Sequence, residues 1–266
     1  MGFSRLIRRV RGALATLPLL GLCIAAPAAA RDIPAVAAAS DLQFALTEVA
    51  GQFTRDTGKA VKLSFGSSGN FHRQIKEGGP FEMYLSADEG YVLDLARGGL
   101  TVDEGALYAV GRIVIIVPPN SPLKADGSLK DLAAALDAGT VRKFAIANPE
   151  HAPYGRAARD AMKTAGLWDR IADKLVLGEN VSQAAQFATT GSTAGGIIAY
   201  SLALSPKVSA LGQYALIPAE WHDPLRQRMV LTRKAGDTAR AFYAYVNSAA
   251  ARAVFRKYGF VLPGEM

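Results

Sequence analysis

Cysteine is almost missing from this chain: Cys23 is the only one in 266 residues. A single thiol rules out an intrachain disulfide and any multi-cysteine metal centre. Histidine is also scarce, with only His72, His151 and His222, and no two of them stand at the His-x₃-His spacing of a helical metal site. Nucleotide-binding signatures are lacking as well, since neither a P-loop lysine motif nor a Gly-x-Gly-x-x-Gly turn occurs. Gly66-Ser67-Ser68-Gly69 lacks the Gly-x-Ser-x-Gly spacing of a hydrolase nucleophile elbow, and no acid and histidine follow it in a convincing triad order. Beyond residue 30 no apolar run approaches the roughly 20 residues needed to span a bilayer. The formal charge of +7 is also less than it looks, because four of the 30 basic residues and none of the 23 acidic ones precede residue 31. The remaining excess of about three positive charges is too mild for a nucleic-acid partner.

What is present begins with an export signal. Arg5, Arg8, Arg9 and Arg11 form a basic start, residues 13–26 an apolar stretch too short for a comfortable membrane span, and Ala28-Ala29-Ala30 a small-residue cleavage site. Residues 1–30 therefore read as a signal peptide, cleaved after Ala30 to release a periplasmic protein by the ordinary secretion route. The residues after Arg8-Arg9 do not resemble a twin-arginine motif, and Leu22 before Cys23 is too large for a lipobox. Cleavage would remove Cys23, so folding is left to a hydrophobic core of some 236 residues.

After the signal the pattern alternates strand and helix. Residues 35–39 run apolar into Ser40, and Leu42, Ala45, Leu46, Val49 and Phe53 then recur at helical spacing up to the capping glycine Gly58. Strands at 60–65 and 81–85, a helix around 71–76 and another through Leu93 and Leu95 to Gly98-Gly99 continue a βαβαβα series, which implies parallel sheet covered by helices on both faces. Residues 112–117 are a strong strand ended by Pro118-Pro119, where the sequence suggests a first crossing between lobes. A second α/β series comes next, with strands at 144–147, 175–177, 196–200 and 214–217, then a polar return through 218–224, a strand at 229–232 and two closing helices. The expectation is an α/β fold of two lobes, each a mainly parallel sheet flanked by helices, with two hinge crossings: residues 31–117 plus 221–266 form lobe 1, and 118–220 form lobe 2.

The most informative local feature is a pair of junctions, 35–40 and 63–69, each running from strand into serine and straight into helix. A helix start leaves amides without intrahelical acceptors and carries the positive end of the helix dipole, so two such starts make a neutral-walled anion trap. Open parallel sheets bind ligands just beyond the carboxyl ends of their strands, which is where Ser40 and Ser68 fall.

Five motifs carry a resemblance to the molybdate-binding periplasmic proteins of ABC importers over nearly the whole exported chain. They are Ala37-Ala38-Ala39-Ser40, Ser64-Phe65-Gly66-Ser67-Ser68-Gly69, the apolar strand ending in Ser86-Ala87-Asp88, Asn148-Pro149-Glu150-His151-Ala152-Pro153, and Phe255-Arg256-Lys257-Tyr258-Gly259-Phe260. The resemblance implies a type II periplasmic binding protein and no enzymatic activity or cofactor. It implies a tetrahedral oxyanion, molybdate or tungstate, held by two serines, two backbone amides and a tyrosine hydroxyl, with no bare metal ion bound. Carried across, the serines are Ser40 and Ser68, the amides those of Tyr154 and Val181, and the tyrosine is Tyr200. Two positions depart from the family. Its Gly-Ile-Val-Tyr pattern reads here Gly196-Ile197-Ile198-Ala199, so Tyr200 comes one place late, and such a shift turns a strand side chain to the other face. Position 154 is small in the family and tyrosine here; it either supplies the missing hydroxyl from the opposite side or narrows the cavity.

The implied partners are the oxyanion and an inner-membrane ABC permease, with the protein itself a monomer. The alternatives are a binding protein for a different oxyanion or small organic anion, or a periplasmic hydrolase or transferase. Asp41 is expected to point away from a bound anion, Arg156 to lie on a solvated face, and Trp168 and Trp221 to serve packing.

Overall fold

Small residues and β-branched residues build the centre of the molecule. The computed structural model describes residues 33–265, and Gly2; the signal peptide expected at residues 1–30 otherwise lies outside the described residues. In chain order the elements are β1 (Ala35–Ala39), a 3₁₀ turn (Ser40–Leu42), α1 (Gln43–Thr57), β2 (Lys62–Gly66), α2 (Ser68–Lys76), β3 (Met83–Ser86), α3 (Glu89–Arg97) and β4 (Ala106–Gly111). The next elements are β5 (Ile113–Val117), α4 (Lys130–Asp137), β6 (Phe144–Ala147), α5 (Pro153–Thr164), α6 (Trp168–Ile171), β7 (Leu175–Gly178), α7 (Val181–Thr189), β8 (Gly196–Ala199), α8 (Tyr200–Ala203), α9 (Pro206–Ser209) and β9 (Gln213–Leu216). The chain returns as β10 (Leu225–Leu231), α10 (Asp237–Val246) and α11 (Ala249–Lys257).

The strands form two five-stranded sheets, ordered β2-β1-β3-β10-β4 and β7-β6-β8-β5-β9. Each is mainly parallel, as the alternating pattern implies, with one reversed strand in the fourth place: β10 runs antiparallel to β3 and β4, and β5 to β8 and β9. Period-two alternation explains why both faces of the first sheet are covered. Val36, Ala38, Met83 and Leu85 meet α1, α10 and α11 through Leu46, Phe53, Phe242 and Phe255. Ala37, Tyr84 and Val230 point the opposite way, toward Phe71, Ile75 and Leu95 of α2 and α3.

One boundary differs from the sequence expectation. Residues 113–117 do not end lobe 1; β5 is flanked by β8 and β9 in the second sheet, with all five of its side chains buried. Both sides of β5 are hydrogen-bonded and both faces covered, so its apolar run marks a central strand of lobe 2. The chain therefore changes sheets at Arg112, and Pro118-Pro119 end a strand rather than a lobe. Strand β4, which lacks a strong alternating signal, takes the edge place in lobe 1 that the sequence pattern assigns to no segment. Sheet membership changes back between β9 and β10. The two lobes make one compact unit. No helix among the described residues is long and apolar enough to cross a membrane.

Candidate functional site

Register brings the first half of the site together. β1 and β2 pair in parallel with Ala39 opposite Gly66, so the chain leaves both strands at one level and turns at once into Ser40 and Ser67-Ser68. The two serines at the second junction divide their work. Ser67 is the N-cap of α2, its oxygen accepting from the Asn70 amide at 3.4 Å. Ser68 is free of that duty and fully buried; its Oγ accepts from the Ala87 amide beyond β3 at 3.0 Å, and its carbonyl accepts from Tyr84 Oη at 2.7 Å. A hydroxyl whose lone pair already takes an N–H keeps its own proton for another acceptor. Ser40 is in the same state: buried, no cap, and accepting the Ser182 amide of α7 at 3.3 Å.

The second half comes from two helix starts in the other lobe. α5 opens at Pro153 after Ala152, which has no side-chain acceptor to cap it, so the Tyr154 amide at the second helical position has no intrahelical partner. Gly155 lets this helix start hard against β6, since a Cβ there would lie 2.2 Å from the Ala147 carbonyl oxygen. At α7 the Asn180 side chain takes the Ser182 and Gln183 amides, leaving Val181 at the first helical position with no acceptor inside the helix. Both ends contribute positive dipole without a charged side chain.

These pieces surround one small cavity, about 10 Å³ in volume. Ser40, Asp41, Ser67, Ser68 and Ala87 line it from lobe 1, and Ala152, Pro153, Tyr154 and Val181 from lobe 2. Four of the five residues singled out in the sequence therefore share a wall. Tyr200 does not. It starts α8, its amide bonded to the Arg112 carbonyl, and its ring lies against Tyr214 at 6.0 Å between centroids and beside Gly259. The one-residue displacement places it on a helix that packs between lobes, so the hydroxyl implied for it is missing from the cavity.

Tyr154 lines the cavity, and its hydroxyl is already engaged. Its hydroxyl crosses to lobe 1 and donates to Asp41 Oδ2 at 2.9 Å, while Gln227 Nε2 donates to the same oxygen at 2.7 Å and to the Tyr154 oxygen at 3.0 Å. Tyr108 completes the chain by donating to Gln227 Oε1 at 2.7 Å. Gly111 makes room for it, because a Cβ there would fall 2.2 Å from the Tyr154 hydroxyl. Asp41 thus does not turn away from the anion cavity as expected. It is buried on the cavity wall, its Oδ1 has no partner in good hydrogen-bond geometry, and loss of hydration raises its pKa from 3.8 to about 6. Burial, together with that carboxylate, pushes the Tyr154 hydroxyl far above its ordinary pKa.

Further contacts join the lobes around the cavity. Ser182 Oγ donates to the Ser40 carbonyl at 2.9 Å, Ser201 Oγ to the Asp41 carbonyl at 2.8 Å, and the Gly69 amide to the His151 carbonyl at 2.9 Å. His151 Nδ1 meets Ser67 Oγ at 3.0 Å, and Asn70 reaches Glu179. Arg156 is not on an open face; it pairs with Asp88 and bonds Tyr91 across the cleft. Trp168 and Trp221 pack against the lobe 2 core. Sequence reasoning missed Gln227, although the pattern held a trace of it: Leu225, Gln227 and Met229 share one face of β10, so a glutamine stands at an inward position.

The geometry has counterparts in known proteins. Residues 34–261 match the model of a family described as bacterial extracellular solute-binding protein. The chain belongs to this family. Among its relatives, the molybdate-binding protein of Rhodobacter capsulatus is 34% identical over 94% of this chain and 95% of its own length. The protein of the same name from Azotobacter vinelandii is 33% identical, over 91% and 95%. A solved structure of the periplasmic molybdate-binding protein of Azotobacter vinelandii superposes with a TM-score of 0.77 at 29% identity, covering 86% of this chain and 99% of that one. A solute-binding protein of this family captures and hands over a ligand rather than transforming one, which fits a cavity walled by hydrogen-bond donors.

Proposed function

We propose that this protein binds a tetrahedral oxyanion, molybdate or tungstate, between its lobes in the periplasm and delivers it as a monomer to an inner-membrane ABC permease. The observation that carries this reading is the convergence of Ser40 and Ser68, each with a hydroxyl proton to give, on the helix starts at Tyr154 and Val181. Neutral donors suit a dianion when water is excluded, because each charge-assisted hydrogen bond is short and contributes roughly 1.5–3 kcal/mol net. At about 3 kcal/mol each, five of them contribute about 15 kcal/mol, which leaves the roughly 8 kcal/mol of micromolar binding or more after association costs of several kcal/mol. Two relatives named for molybdate binding, similar over nearly their full lengths, support the same ligand.

Calorimetric titration of the ligand-stripped protein with molybdate, tungstate, sulfate and phosphate tests the proposal. Sub-micromolar binding of the first two, with sulfate and phosphate at least a hundredfold weaker, is the expected result. No heat from either metal oxyanion would overturn it.

A further inference from the structure

A carboxyl group on the wall of an anion cavity is an electrostatic contradiction, and its surroundings here resolve it. Asp41 Oδ2 is fully occupied by two donors, Tyr154 Oη and Gln227 Nε2. Asp41 Oδ1 is buried with no partner in good hydrogen-bond geometry, although the Asp41 and Leu42 backbone amides beside the carboxyl favour its charged form, and the residue lines the cavity beside Ser40. An ionised carboxylate next to a dianion in a desolvated pocket would repel it strongly, whereas a protonated one offers a donor. We propose, building on the oxyanion reading above, that Asp41 is a further binding residue that acts as a carboxylic acid: one solvent proton joins Oδ1 when the oxyanion enters, and the Oδ1–H donates to an oxyanion oxygen. That makes a fifth side-chain or backbone donor in a cavity that the Tyr200 hydroxyl does not reach.

The groups around Asp41 leave it the one that titrates. Tyr154 from α5 and Tyr108 from β4 keep their protons, both pushed far above the ordinary tyrosine value by burial and by the Asp41 charge. Gln227 from β10 is neutral, and Ser201 from α8 engages only the Asp41 carbonyl. The free group holds its proton only below about pH 6, so near neutrality and above it must take one up on binding. At the cavity's other edge His151 touches Ser67 and stands 3.6 Å from Glu179, and Arg156 is paired with Asp88.

The test is molybdate titration of the full exported protein between pH 5.5 and 8.5, in buffers of differing ionisation enthalpy so that protons are counted directly. Uptake of roughly one proton per molybdate is expected at pH 8, falling to below about a third at pH 5.5, with Kd weakening about tenfold per pH unit above 7. Asp41→Asn keeps the acceptor for Tyr154 and adds a fixed donor, so it should abolish the uptake and flatten the profile, binding more tightly than wild type at pH 8. His151→Gln should leave the slope unchanged. Molybdate binding with no proton uptake by the wild-type protein, or a slope that persists in Asp41→Asn, overturns the role of Asp41 while leaving the oxyanion reading intact. Phosphate binding without molybdate binding at any pH overturns the molybdate reading and this inference with it.

Discussion

Ser68 and Asp41 show how much a single side chain decides in this cleft. Ser68→Ala removes a hydroxyl that both accepts the Ala87 amide and has a proton to donate, so the ligand should bind at least tenfold more weakly by calorimetry, about 1.4 kcal/mol. An unchanged Kd would place the ligand elsewhere. The same substitution strands a buried N–H, which costs about 1–3 kcal/mol of stability. Asp41 affects stability through protonation. Its pKa is 3.8 in the unfolded chain and about 6 in the folded one, so between these values the native protein holds a proton that the unfolded chain has released. Stability from this residue is therefore present in acid and is lost as pH rises through about 6, a difference of about 3 kcal/mol. Asp41→Asn should raise the melting temperature in scanning calorimetry by several degrees at pH 8 and by much less at pH 4. Equal gains at both values would show that Asp41 is not held as an acid in the folded protein. At this scale the serines were legible because strand ends and helix starts have local signatures. The direction of Asp41 was not, since it depends on Gln227 and Tyr154, 186 and 113 residues away in sequence.

Helix starts are the working elements, and their closeness to one another is set by glycine. Gly69, in the first turn of α2, gives its amide to the His151 carbonyl, and a Cβ at this position would lie 2.6 Å from that oxygen and 2.8 Å from the Tyr91 hydroxyl. Because the obstruction is backbone of the opposite lobe, Gly69→Ala should fold normally yet hold the lobes apart. Ligand affinity is expected to fall more than tenfold while the circular dichroism spectrum stays unchanged; undiminished affinity would mean that this contact does not control closure. Elements also mark where local pattern misleads. Helical spacing identified α1 and apolar runs identified β1, β2 and β3, but the strength of β5 as a strand says nothing of which sheet receives it.

Across the whole molecule, the two sheets share one plan, four strands in one direction and a reversed fourth-place strand entering next to a crossing. Both sheets aim strand ends and helix starts at the same cleft, and the polar contacts around it belong to a closed arrangement. Small-angle scattering of stripped protein should therefore show a smaller radius of gyration on adding molybdate, as expected when a ligand favours one hinge state. An identical profile with and without bound ligand would count against ligand-driven closure. The α/β alternation and the two serine junctions were determined by the sequence alone, because each depends on neighbours a few residues apart. Only the tertiary structure decided that β5 belongs to the second lobe, that Tyr200 leaves the cavity and that Asp41 stands within it. Those outcomes depend on strand pairing and on hydrogen bonds between distant segments, whose partners no local pattern can name.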